Sequence, residues 1–160
     1  MLHSMPANRR QNGGNAVDDG NRRLLEELQR DARLSLAELG RRVGLSSPAV
    51  ADRIARLEDA GVITGYHTEI DPRKLGWSLE VVIRIRPAPR ELHKVAELAA
   101  RTPEIVECQR VTGEACYVMR AHVREVDDLE ELIDRFAVYG QTTTSLVHSS
   151  PVPRRSVPLS

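Results

Sequence analysis

Between Ser35 and Ile63 the apolar positions recur twice at helical spacing, separated by a corner. Leu36, Leu39 and Val43 share one face of a first helix. Ser35 and Glu38 stand at capping-box spacing at its start, each placed to satisfy a backbone N–H that the first turn leaves free. Gly44 ends this helix, since a residue without Cβ enters the left-handed conformation at little cost, and Leu45 drops into the core across the corner. A second helix restarts at Ser47-Pro48, with serine as N-cap and proline at the first helical position. Val50, Ile54 and Leu57 form its apolar stripe, and Gly61 closes it. Ala49, Asp52, Arg53 and Arg56 follow the same rhythm on another face. Gly40 lies opposite the turn, where a small residue lets two helices approach. This order of caps, glycines and stripes is the plan of a helix–turn–helix, whose second helix enters the DNA major groove; an ordinary helical hairpin is the competing description.

Upstream, Leu24, Leu25 and Leu28 define another helix beginning at Val17-Asp18-Asp19, its acidic start matched to the positive end of the helix dipole. Downstream, Val62–Ile70 reads as a short strand bent at Gly65, which would complete a winged helix–turn–helix. Beyond Gly76 the period changes. Leu79, Val81, Ile83 and Ile85 alternate with Glu80, Val82, Arg84 and Arg86, a strand ended by Pro87 and Pro89. Leu92, Val95, Ala96 and Ala99 mark an amphipathic helix. Residues 104–112 and 115–123 read as two strands around a Gly113-Glu114 turn, in which Val111 faces Cys116 and Cys108 faces Met119. Val126, Leu129, Leu132, Ile133 and Phe136 make another amphipathic helix capped by Gly140, and residues 141–149 form a last strand. The order β-α-β-β-α-β predicts a ferredoxin-like sandwich, an antiparallel sheet with both helices on one face. The fold class is therefore α+β, divided into a polar, disordered leader (1–16), a winged helix–turn–helix domain (17–70), a linker (71–77), a βαββαβ domain (78–150) and an extended tail (151–160) placed to lie along a partner subunit.

Composition adds bounds. The 160 residues are 41% hydrophobic, with 23 basic and 23 acidic side chains and a formal net charge of zero. Each half is nearly balanced as well, so attraction to DNA must come from locally placed arginines, helix N-termini and multiple copies. No apolar run approaches the roughly 20 residues of a membrane span, and no signal-peptide core opens the chain, which points to the cytoplasm. Two cysteines, Cys108 and Cys116, are too few for a disulfide framework and are expected as free, partly buried thiols. His122 and His148 have no other ligand at metal spacing and are expected to be solvated or packed; no metal site is expected. Tyr66 and Trp77 are expected to anchor the linker by packing, and Arg9-Arg10 offers a minor contact to phosphates.

Four stretches together resemble one family: VDDGNRRLLEELQRDAR, ELGRRVGLSSPAVADRIARLEDAGVI, the IDP linker and VECQRVTGEACYVMRAHV. Over residues 17–150 the chain is similar to the leucine-responsive regulatory protein and asparagine-operon regulators, the Lrp/AsnC or feast/famine family. The resemblance implies a transcription regulator whose sandwich domain dimerises through its sheet, often builds octamers, and binds an amino-acid effector between neighbouring dimers. It places the effector at the hairpin Gln109 to Cys116, with Val111, Thr112, Gly113 and Glu114 at its core and Thr144 as a further ligand. Glu114 can meet the effector ammonium group. Cys116 stands where the family often has a carboxylate. No cofactor beyond an amino-acid effector is implied, and no catalytic residue.

On the DNA side, Ala49, Asp52, Arg53 and Arg56 face the groove, arginine being the commonest reader of guanine. Ser35, Ser46 and Ser47, with the helix N-terminus, hold phosphate and set register, and Asp52 orients Arg56 through an i,i+4 pair. The expected partners are double-stranded DNA carrying pseudopalindromic sites, an amino-acid effector, and further copies of the chain in a dimer, tetramer or octamer. Two other classes compete: a tetrapyrrole decarboxylase similar across both domains, using His122 and strand arginines, and an architectural DNA-binding protein without an effector.

Overall fold

Leu24, Leu25, Leu39, Val50 and Leu57 form one buried cluster and Val81, Ile83, Ile85, Met119, Leu132 and Phe136 belong to another, so the hydrophobic pattern builds two cores. The computed structural model describes residues 17–159; the expectations for the leader and for Arg9-Arg10 lie outside them. The chain divides into a helical unit, which includes the described residues up to Thr68 together with Arg154 onward, and a sheet unit spanning Glu69–Pro153.

In the helical unit, α1 (Asp19–Arg30), α2 (Leu36–Val43) and α3 (Ser47–Asp59) surround the first core. Asp18 caps α1 by accepting the Asn21 N–H at 2.6 Å. Ser35 caps α2, its Oγ accepting the Glu38 N–H at 3.2 Å. Glu38 does not complete the expected capping box, because its carboxylate pairs with Arg41 and Arg42 one turn on. Leu36, expected on the buried face, is 41% exposed; Leu39 carries that face instead. Gly44 takes φ 75°, and the following N–H of Leu45 returns to the Gly40 carbonyl at 2.8 Å. Gly40 is small for a reason that lies in the turn: a Cβ there would stand 2.3 Å from the Leu45 carbonyl oxygen.

The cap of α3 is Ser46, not Ser47. Its Oγ accepts from the Ala49 N–H at 3.4 Å, and Ser47 is the first helical residue. A capping oxygen accepts from the second or third helical N–H, and Pro48 at the second position has none, so Ser46 meets the third, that of Ala49. At the other end Gly61, at φ 68°, donates to Glu58 and Val62 donates to Leu57, both at 2.9 Å, the paired bonds of a Schellman motif. The wing does not form: residues 62–70 carry no strand. Among the described residues no strand lies beside this segment to give it a ladder. In the tail, Leu159 packs against the helical core of its own chain.

In the sheet unit, a single 3-10 turn (Pro72–Leu75), capped by the Asp71 carboxylate, leads into the domain. The sheet comprises β1 (Leu79–Pro87), β2 (Ile105–Arg110), β3 (Tyr117–Val123) and β4 (Gly140–Leu146), with α4 (Leu92–Arg101) and α5 (Val126–Ala137) in the crossovers. The antiparallel order β2-β3-β1-β4 is that of the expected ferredoxin-like sandwich. Val81, Ile83, Ile85, Met119 and Ala121 fill one face beneath the helices, with Val95, Ala99, Leu132 and Phe136 opposite. Ala96 and Val126 are exposed, whereas Leu98 packs on the core. Gly140 is not the cap of α5, whose C-cap is Val138. It opens β4, where a Cβ would meet the Arg86 carbonyl oxygen at 2.3 Å, so its role is close backbone approach. Cys108 pairs with Met119 as expected; both thiols are free, Cys108 exposed and Cys116 half-buried. Tyr66 is 48% exposed and donates to Glu58 at 2.8 Å, so it is no packing anchor. The Arg124 guanidinium lies 4.8 Å from the centre of the half-buried Trp77 ring.

Candidate DNA-contact helix and effector cleft

The α3 surface left open to solvent is the stripe Pro48, Asp52, Ala55, Arg56 and Asp59, opposite the buried Val50 and Leu57. Arg56 and Asp52 make the expected i,i+4 pair at 2.6 Å, and the Arg56 side chain is 76% exposed. A guanidinium held at one edge by a carboxylate keeps its other donors free and has its direction set, as a reader of guanine O6 and N7 requires. Ser46 stands exposed at the positive end of α3, Ser47 half-buried beside it, and Ser35 occupies the same place on α2. Ala49 is half-buried at the first turn.

Arg53 is placed differently. Its guanidinium donates to Asn21 Oδ1 at 2.8 Å and reaches both Asp18 carboxylate oxygens at 3.2 Å, which ties α3 to the start of α1. A hydrogen bond from the Asn21 N–H and the Arg53 guanidinium together hold the Asp18 carboxyl below its ordinary range, against a smaller opposing effect of burial. Glu27 is held low in the same way, chiefly by Arg42, 2.8 Å away. Helical periodicity puts Arg53 near the DNA face, but the long side chain turns toward α1. The contact joins residues 35 positions apart, beyond the reach of local spacing. Ala55, which sequence reasoning passed over, lies on the open stripe; the i+3 and i+7 steps from Asp52 and Pro48 were the available signal.

On the sheet unit, the loop between β2 and β3 lies against β1. The Val111 N–H donates to the Cys116 carbonyl at 2.9 Å, closing the hairpin, and the Cys116 N–H donates to the Ile85 carbonyl at 3.0 Å. Gly113 takes φ 117° at the tip, a conformation that favours glycine. An open cleft of about 380 Å³ sits there, lined by Arg84 and Arg86 of β1, Gln141 and Thr143 of β4, and Glu114 and Ala115 of the loop. Of the residues expected at the effector site, Glu114 lines this cleft. Gln109, Val111, Thr112, Gly113 and Cys116 belong to the hairpin but do not line it. Thr144 pairs with the buried Ile83 and so shares the helix-covered face, while Thr143 pairs with Arg84 on the open one. Arg84, Arg86, Gln141 and Thr143 were missed. Alternation places each on an outward face, but bringing them to the loop requires knowing that β1 lies between β3 and β4.

A model described as the AsnC-type helix-turn-helix domain matches residues 17–58, and one described as the Lrp/AsnC ligand binding domain matches residues 80–157. The chain is 40% identical over 134 residues to the Bacillus subtilis protein described as the uncharacterized HTH-type transcriptional regulator YezC, covering 84% of this chain and 95% of that one. The chain belongs to the Lrp/AsnC family. Among solved members, the structure of B. subtilis LrpC superposes with a TM-score of 0.82 at 30% identity, covering 86% of this chain and 99% of that one. A feast or famine regulatory protein from M. tuberculosis, complexed with L-methionine, gives a TM-score of 0.83 at 32% identity, with 89% and 99% covered. As an Lrp/AsnC protein the chain is a helix–turn–helix transcriptional regulator that carries a ligand-binding domain, and its relatives are described as HTH-type transcriptional regulators. Among the described residues no helix is long and apolar enough to cross a membrane.

Proposed function

We propose that this Lrp/AsnC chain is an amino-acid-responsive regulator that reads pseudopalindromic promoter DNA through the solvent face of α3, working at the nucleoid in the cytoplasm. The observation that carries the DNA reading is the exposed Arg56, aimed by Asp52 on the outer stripe of the second motif helix. Ser46, Ser47 and Ser35, at helix N-termini, supply phosphate contacts that set register. Arg53 acts through structure, holding α3 against α1. Because so many of the basic side chains here are already paired with carboxylates, one copy binds weakly; a dimer or larger homo-oligomer presents two or more α3 helices at half-sites one helical turn, or a multiple of it, apart.

The amino-acid reading rests on the cleft beside the Glu114 loop, in a domain matching a ligand-binding family model, and on the L-methionine complex of a similar structure. An effector alters DNA affinity only if it binds one assembly arrangement better than another. Gel retardation on the protein's own promoter, with and without each common amino acid, tests both parts. Arg56→Ala is expected to lose the specific complex. Unchanged retardation would remove α3 as the reader. Silence of both retardation and melting temperature across the whole amino-acid panel would favour an architectural role.

A further inference from the structure

Most arginines of the helical unit already have a carboxylate. Arg30, Arg41, Arg42, Arg53 and Arg56 each pair with an aspartate or glutamate. Between Val17 and Thr68 eight arginines stand against nine acidic side chains, a net charge of −1 that repels a polyanion. The tail changes this balance. Residues from Arg154 onward belong to the helical unit, and Leu159 packs against its core. Arg154 and Arg155 are both exposed, and among the described residues neither guanidinium has a carboxylate partner. With these two the described part of the helical unit carries +1.

Pro151, Pro153 and Pro158 flank the pair, and residues 147–159 carry neither helix nor strand. Each proline fixes its own φ and lacks an N–H, which holds such a segment extended. Arg155 and Arg154 lie four and five residues before Leu159. An extended chain covers at most about 3.6 Å per residue, so both Cα atoms stay within about 18 Å of that anchor. An arm pinned at its end loses less conformational entropy on meeting a ligand than a free one does. The tail holds no aromatic side chain to stack on a base, and no carboxylate aims its arginines as Asp52 aims Arg56. Unaimed guanidinium groups suit phosphates, which are found all along a duplex, better than base edges. We propose that Arg154 and Arg155 form an arm, held on the helical unit by Leu159, that contacts the phosphate backbone of the DNA read by α3. The arm adds affinity and salt dependence without sequence preference, because each phosphate contact releases condensed counterions whatever the bases are.

This inference rests on the reading of α3 as the DNA helix, and the test separates the two. Full-length protein is titrated with its own promoter duplex and with an unrelated duplex of equal length, from about 50 to 200 mM salt. The native form is compared with Arg154→Gln, Arg155→Gln, the double variant and Arg56→Ala. Circular dichroism and gel filtration check fold and assembly. Each tail substitution is expected to weaken both duplexes by the same factor. It should also flatten the plot of log K against log salt by about 0.9 for each arm on the duplex, and the double variant by about twice that. Arg56→Ala should instead lose the preference for the promoter and keep the share of the slope that the arm supplies. An unchanged slope in the double variant would overturn the arm and leave α3 standing. A loss confined to the promoter duplex would make the pair base readers and overturn the phosphate assignment. A shifted elution volume with an unchanged slope would assign the pair to a contact between copies, which also overturns it. Native promoter preference in Arg56→Ala, with the slope still flattened by the tail variants, would remove α3 as reader and keep the arm. Absence of any complex with the native protein would remove the DNA reading, and the inference with it.

Discussion

Gly40 has no room for a side chain. Its carbonyl receives the Leu45 N–H while its Cα lies under the Leu45 carbonyl, where a Cβ would stand at 2.3 Å. Backbone cannot swing aside as a flexible side chain can, so Gly40→Ala should destabilise the helical unit by about 1–3 kcal/mol in urea denaturation. Arg53 and Arg56, one turn apart on α3, should separate cleanly. Arg53→Ala removes the tie to Asp18 and Asn21 and should lower the melting temperature, with DNA affinity recovering when the protein is kept cold. Arg56→Ala should keep the melting temperature and lose the specific DNA complex. Acid acts on the same contacts. Asp18 and Glu27 have folded-state pKa values below their ordinary ones, so their contribution is complete above the ordinary carboxylate range and is lost as pH falls through the lowered values. The unfolded chain binds more protons there, and stability should fall between about pH 5 and pH 3. In Asp18→Asn, which keeps a capping side chain, that acid limb should be shallower by fluorescence-free readouts such as far-UV circular dichroism.

At the scale of elements, ends behaved according to local chemistry and faces according to period. The Schellman bonds at Gly61 and the left-handed Gly44 follow from glycine placed one step past an apolar stripe. Ser46 and not Ser47 caps α3, because the helical backbone begins one residue earlier than the proline suggests and leaves Pro48 at the second helical position. Gly140 looked like a helix stop because it follows α5, yet its role is set by Arg86 and Pro87, more than fifty residues earlier. The tail is the element most changed by tertiary contact. Leu159, among three prolines and two arginines in residues 151–160, had no periodic pattern to place it. It packs on the helical core, so Leu159→Ala should cost roughly 1 kcal/mol in the stability of the helical unit and nothing in the sheet unit.

Across the whole molecule, two cores of unequal size share one chain. The helical core buries Leu24, Leu25, Leu39, Val50 and Leu57, while the sheet core buries two aromatic residues and a larger aliphatic set from β1, β3, α4 and α5. Smaller cores bury a smaller fraction of their surface and are less stable. The single tryptophan, Trp77, belongs to the sheet unit, so its fluorescence reports that unit alone. Helix loss followed by circular dichroism should therefore begin at lower temperature than the tryptophan transition. Coincident curves would mean that the units unfold together.

Sequence by itself determined the order of the helices and of the four sheet strands, the left-handed Gly44 and Gly61 that follow α2 and α3, and the α+β class. These follow from period and local hydrogen bonding, interactions confined to a few neighbouring residues. It also marked Arg56, Asp52 and Glu114, whose surroundings are local. Tertiary structure alone decided that Arg53 turns to α1, that residues 62–70 carry no strand, and that Thr143 and not Thr144 lines the cleft beside the Glu114 loop. It alone set Arg84 and Arg86 beside the Glu114 loop. A period tells which side of an element points inward, but which groups meet across it depends on strand order and on where long side chains find their counter-charges, and those partners lie tens of residues away.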